Sequence, residues 1–313
     1  MDVLPPSTLS RKQVLVPCLR HKMRPVTSDP RLGDRMQPAQ HMLRTGRRGS
    51  LHEFAMAFAD LRASGPKLGL AWSLASHDVV SRYRGSILGP FWITLSMAFM
   101  VLGIGFLYSE LQHISLQETM PFVALGIVFW GMISLVIIEG CETFVHASGM
   151  LSQTALPMFT FVWRTLLRNL VTLLHHLIII VAVLVWFGYW RTMNLPLAFV
   201  GLVLTLLNVS WLSLAVAISS ARFRDIPQIV TSVMQFSMFM TPVFWKPDFH
   251  SPMMKLVLIY NPFFHMLDAI RGPLLGARPA LQTYVVLVAM AVIGWALTFS
   301  LFALTRRRIV HYL

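Results

Sequence analysis

Few residues in this chain could do chemistry, and most of them stand where apolar sequence ends. His265 and Asp268 have the i, i+3 spacing that puts two side chains on one helical face, where they could share a metal ion. No further ligand lies near them, so the favoured role is capping or hydrogen bonding, with no metal. His175 and His176 lie inside a long apolar run. A histidine there more often packs or hydrogen-bonds than relays protons. Glu139 and Glu142 flank the end of another run, as functional acids or as a solvated terminus. The stretch SSARFRDIPQIV, residues 219–230, sets Arg222, Arg224, Asp225 and Pro227 between two apolar runs. Charges so placed either interrupt a membrane segment or form the tip of a loop that touches something. Pro227 suits the first turn of a following helix, which Asp225 could cap. There is no Gly-Lys pair, hence no Walker A loop, and no HExxH, CxxC or GxSxG. Cys18 and Cys141 form neither a disulfide framework nor a metal spacing. Energy coupling must come from another chain, and no cofactor is expected on this one.

The elements that position these residues follow from composition. Only 12% of the 313 residues are charged and the mean hydropathy is +0.64. A soluble domain of this size carries roughly 25% charged residues. The net charge of +13 first suggests nucleic acid, but Lys and Arg cluster outside the apolar runs. That is the pattern of a membrane protein oriented by its cytoplasmic cations, with no nucleic-acid partner. Six runs are long enough to span a bilayer, at about 91–109, 121–140, 170–188, 196–218, 227–245 and 283–304. The predicted fold class is therefore an all-α integral membrane protein with six transmembrane helices.

Charge sets the orientation. Fourteen Lys and Arg precede the first span. With the N-terminus cytoplasmic, Arg164, Arg168, Arg222, Arg224 and Arg306–Arg308 also lie inside, and the first external loop carries none. Both termini are then cytoplasmic. Residues 1–60 read as a basic, disordered N-terminal extension, and residues 61–313 as the transmembrane domain. Residues 66–84 have Leu68, Trp72, Ala75, Val79 and Tyr83 on one face at helical spacing. They predict an amphipathic helix lying in the membrane interface. Residues 255–276 form two halves broken at Asn261-Pro262, each too short to span. Two external re-entrant helices shielded by protein would satisfy their backbone groups best. The fifth run, VMQFSMFMTPVFW, is dense in Met and aromatic residues, whose faces suit sugar rings as well as lipid tails.

At these residues the chain resembles a known family. SRYRGSILGPFWITLSM (81–97), LSQTALPMFTFVWRTLLRNLVTLLHHLIII (151–180), ARFRDIPQIV (221–230), MTPVFW (240–245) and YNPFFHMLDAIRGPLLG (260–276) resemble the membrane subunit of ABC-2 type polysaccharide exporters. These export O-antigen, capsule or teichoic acid. The resemblance runs from about residue 66 to the end; His175-His176 departs from it, because relatives often carry His-Asn. It implies a permease subunit, not an enzyme, in a bacterial inner membrane. Two copies would form a channel for a lipid-linked glycan, and two separate ATPase subunits would use ATP and Mg. Coupling helices fall on about 142–151 and 222–227, which gives Glu142, His146, Arg222, Arg224, Asp225 and Pro227 as contacts to the ATPase. Arg82, Tyr83 and Arg84 would face membrane lipids or the carrier's pyrophosphate. Trp92, Phe99, Phe106, Phe236, Phe239 and Phe244 are implied along the glycan path, and Tyr260, Asn261, Pro262 and Phe263 at an external gate. An ABC-2 exporter of a drug or lipid would use the same fold. An ATP-independent transporter would need inverted repeats and mid-membrane acids, and a membrane transferase more converging polar residues.

Overall fold

The computed structural model describes residues 50–154, 156–247 and 251–312, and every element among them is helical. In chain order these are α1 (Ser50–Ser64), α2 (Leu68–Arg82), α3 (Phe91–Gln112), α4 (Leu116–Gly140), α5 (Thr143–Gln153), α6 (Met158–Trp186), α7 (Leu195–Arg222), α8 (Ile226–Met240), α9 (Pro252–Tyr260), α10 (Pro262–Leu274) and α11 (Leu281–Tyr312). Local sequence sets many of the ends. Asn194 accepts from the Leu197 N–H at the start of α7, and Asn261 accepts from the Phe263 and Phe264 N–H groups at the start of α10. Pro252, Pro262 and Pro227 each lie in a first turn, where a missing N–H costs nothing.

Among the described residues five helices, α3, α4, α6, α7 and α11, are long and apolar enough to cross a membrane. The sixth expected span, 227–245, departs from prediction. Pro242 disfavours helical geometry at the residue before it, and Thr241 is extended at φ −100°, ψ 134°. The run thus splits into the 15-residue α8, about 22 Å long, and a non-helical stretch to Trp245. That stretch continues along α4. A Cβ on Gly126 would overlap the Val243 carbonyl, and Lys246 Nζ reaches Glu118 Oε2 in the first turn of α4 at 2.8 Å.

Two other expectations shift. α1 begins at Ser50, inside the stretch assigned to the basic extension, and its Asp60 is buried; residues 1–49 lie outside the described residues. In α2 the buried stripe is Ala71, Ala75 and Val79, while Leu68 and Trp72 are half exposed, so the helix is rotated from its expected face. α6 starts at Met158, directly after Pro157, so the helix that carries the 170–188 run also takes in the polar Arg164, Arg168 and Asn169.

α4 is the hub, with 72% of its apolar window buried against 17% for α3. Its Val123, Leu125, Val128, Ile133 and Val136 form the centre of the core, against α3, α6, α7, α8 and α10. α7 packs on α10 and α11, and Gly201 allows the Ala269 carbonyl to come so close that a Cβ would overlap it. A second apolar cluster joins α1, α5, α6, α7 and α11 through Ala57, Phe144, Phe159, Leu214 and Phe302.

Candidate functional site

Two polar clefts adjoin where α4 ends and α5 begins. The first, about 290 Å³, lies between the start of α5, the turn from α7 to α8 and the end of α11. Glu142, His146, Arg224 and Pro227 line it with Cys141, Ser220 and Tyr312. Residues expected on two loops distant in sequence thus meet in one place. His146 Nε2 stands 3.4 Å from Glu142 Oε2, one turn away. Arg222 does not line the cleft. Its guanidinium lies over the rings of Phe223 (5.0 Å) and Tyr312 (5.9 Å). Asp225 holds the N-cap position of α8, yet its side chain makes no capping hydrogen bond. Arg222, Arg224 and Asp225 are all exposed. Burial pushes the Cys141 thiol up, away from the reactive thiolate form.

The second cleft, about 350 Å³, is a charge network that sequence inspection missed. Arg164 donates from Nε and Nη2 to Asp78 of α2 at 2.8 and 2.6 Å. Arg168 donates twice to Glu139 Oε2, at 3.1 and 2.8 Å, and Asn169 Nδ2 adds a third bond at 2.7 Å. Arg82, expected at the lipid interface, reaches the other oxygen of Glu139 at 3.5 Å and lines the same cleft; exposed Arg84 and half-buried Tyr83 do not. Three arginines against two carboxylates leave the lining cationic. His146 lines both clefts and so joins them. The available signal was Arg164, Arg168 and Asn169 inside a helix otherwise apolar, at i, i+4 spacing that puts both arginines on one face.

The aromatic residues expected along a glycan path divide. Trp92, Phe99 and Phe106 recur every seven residues on an exposed stripe of α3, and Phe236 and Phe239 are exposed on α8. Phe244 alone of the six lines an apolar groove of about 290 Å³ between α3, α4 and α8. Its ring contacts Tyr108 of α3 (centroids 5.0 Å) and Phe239 of α8 (6.3 Å), so Phe244 bridges the two helices.

At the other end of α4, α9 and α10 meet at Asn261. Tyr260 is exposed, while Phe263 packs edge-on against Trp130 at 5.6 Å. Asn261 Nδ2 donates to the Met240 carbonyl (3.2 Å) and to Thr241 Oγ1 (3.0 Å). Both ring nitrogens of His265 are occupied, Nδ1 with Thr283 Oγ1 at 3.2 Å and Nε2 with the Ile259 carbonyl at 2.9 Å. That is the hydrogen-bonding role its surroundings favoured. His176 is buried in α6, and His175 Nδ1 bonds the Val171 carbonyl at 2.8 Å.

Residues 70–275 match the family model described as ABC-2 type transporter. The chain is 22% identical over 228 residues to the O-antigen export system permease protein RfbA of Myxococcus xanthus, covering 72% of this chain and 88% of that one. It is 18% identical over 198 residues to the O-antigen export system permease protein RfbA of Klebsiella pneumoniae, covering 62% and 75%.

Proposed function

From the premise that the chain belongs to the ABC-2 type transporter family, a multi-pass protein of the bacterial inner membrane, we propose that it is the channel-forming subunit of an ATP-driven polysaccharide exporter. The cargo is a lipid-linked glycan of the O-antigen or capsule class, taken up at the cytoplasmic face. Two relatives that carry the O-antigen export name support that cargo.

One observation carries the reading most directly. Glu142 and His146 of α5 share a cleft with Arg224 and Pro227 of the α7–α8 turn. Two loops far apart in sequence thereby offer one exposed, mixed-charge surface, which suits docking of a soluble ATPase. α8 starts in that cleft, so a push there acts on a membrane helix rather than on a slack loop. The path of α8 and residues 241–246 along α4 supports a sixth crossing. Six crossings put both termini inside, where the Lys and Arg bias also puts them.

Two copies of the chain would set the stripe of Trp92, Phe99 and Phe106 and the exposed Phe236 and Phe239 against a shared path, where ring faces stack on sugars. The cationic cleft of Arg82, Arg164 and Arg168 suits the diphosphate of a lipid carrier, because guanidinium forks pair with phosphate oxygens. Tyr260, Asn261, Pro262 and Phe263 would form the external gate. The chain itself binds no nucleotide; ATP and Mg belong to the partner.

The test changes Arg224→Glu and Asp225→Lys in cells that depend on this chain for surface glycan. Both charges are exposed, so the protein should insert at ordinary levels while export falls at least about tenfold. Normal surface glycan in both variants would overturn the docking reading.

A further inference from the structure

The end of α8 is a structural problem that other elements solve. The last carbonyls of a helix have no partner within it. In hydrocarbon each such group must find a donor in surrounding protein. α8 ends at Met240, beside the middle of α4, and residues 241–246 run on without helical bonds. The donors come from the α9–α10 pair. Asn261 bonds the Met240 carbonyl and Thr241 Oγ1, and Arg271 Nη1 bonds the Pro242 carbonyl at 2.6 Å. Arg271 is 3% exposed and stands 3.9 Å over the Phe122 ring of α4. A buried cation is expensive unless bonded. Asp268, one turn back on α10, offsets part of that charge, and the Nη1 bond to the Pro242 carbonyl directs it at the end of α8.

We infer that Arg271 and Asn261 form a latch that fastens α9 and α10 to the end of α8. Motion delivered at the Arg224–Pro227 end of α8 then reaches the external pair. The inference rests on the exporter reading for the source of the motion. The fastening itself rests on bonds within this chain. α8 acts as a strut about 22 Å long, with the docking cleft at one end and the latch at the other. Arg271 is a positioning residue. It touches no cargo and fixes how two elements move together, as coupling between two states requires.

The test uses the full chain with its ATPase partner in membrane vesicles, with Cys18→Ser; Cys141 is buried and is left in place. The probe is a membrane-impermeant maleimide reacting with Met253→Cys on exposed α9. In the otherwise unaltered chain, trapping the ATP-bound partner should change the labelling rate. Arg271→Met should abolish that change and lower glycan moved per ATP hydrolysed about tenfold, while hydrolysis persists. Arg271→Lys, which keeps a donor over Phe122, should recover part of both. An unchanged nucleotide response in Arg271→Met, or no rescue by lysine, overturns the latch. If Arg271→Met fails to insert, Asn261→Ala with Thr241→Val removes the second tie and is judged by the same readouts. If the unaltered chain itself shows no nucleotide response, the exporter reading falls, and the latch is decided without nucleotide. Leu258→Cys, buried on α9, should then label faster when Arg271 is replaced; equal rates overturn the latch.

Discussion

Asp78 and Arg164 show how much one pair can decide. Their side chains are 17% and 21% exposed, and the arginine holds both carboxylate oxygens. Breaking such a pair strands a charge where water cannot fully reach it, at a cost of about 3 kcal/mol. Asp78→Ala should therefore lower the melting midpoint of the detergent-solubilised chain by several degrees and free α2 to proteolysis. The swap of Asp78→Arg with Arg164→Asp should recover part of the loss. An unshifted midpoint in Asp78→Ala would show that α2 is held by its Ala71, Ala75 and Val79 stripe alone. The Glu142–His146 pair is the contrast, since both side chains are more than half exposed and water screens them. Its removal should leave the melt unchanged, and any effect should be on docking. The charged types were visible in the sequence; the partnership was not. Asp78 and Arg164 are 86 residues apart, and only the packing of α2 on α6 joins them.

Elements obeyed the sequence wherever one local rule governed them. Apolar length found α3, α4, α7 and α11, and Asn261-Pro262 announced the break between α9 and α10 because Asn caps and Pro starts a helix. The 227–245 run reads as one continuous helix because hydropathy has no term for a helix that stops within an apolar stretch. Pro242 was the legible signal, since it forces the preceding residue out of helical geometry. α1 was hidden by the basic sequence before it. Its Asp60 accepts from the Met158 and Phe159 N–H groups at the start of α6 and pairs with Arg306 of α11 at 2.9 Å. These are partners about 98 and 246 residues away that no window spans. The close approach of Val243 to α4 belongs to the same class. Gly126 reads as an ordinary membrane glycine until the Val243 carbonyl is placed against it. Gly126→Leu should displace the 241–246 stretch and cost about 1–3 kcal/mol, read as a loss of folded, monodisperse protein. Gly103→Leu on α3, where a Cβ meets nothing within 4 Å, should be tolerated. Equal behaviour of the two would mean that 241–246 has room to move.

At the scale of the molecule, burial is lopsided. α4 is wrapped by five helices, whereas α3 buries 17% of its apolar window and leaves Phe99, Leu102 and Phe106 outward. Lipid tails cover such a face at no cost, so exposure alone does not demand a second copy. The docking cleft makes the stronger argument. It holds exposed charges of both signs beside the start of α8. On the exporter reading proposed above, the driver is a separate ATPase, and the proposed assembly pairs two copies of the chain with two ATPase subunits. Extraction in mild detergent from cells that also make the neighbouring ATPase should give one species with the mass of two plus two, read by native mass spectrometry. High salt should release the ATPase before the two membrane chains part, because the cleft contacts are polar and screened while any contact between membrane chains is apolar. Recovery of a lone chain that moves glycan without ATPase would end the half-transporter reading. Loss of the ATPase together with separation of the membrane chains would instead place the ATPase at the interface between copies, with the cleft as only part of its seat.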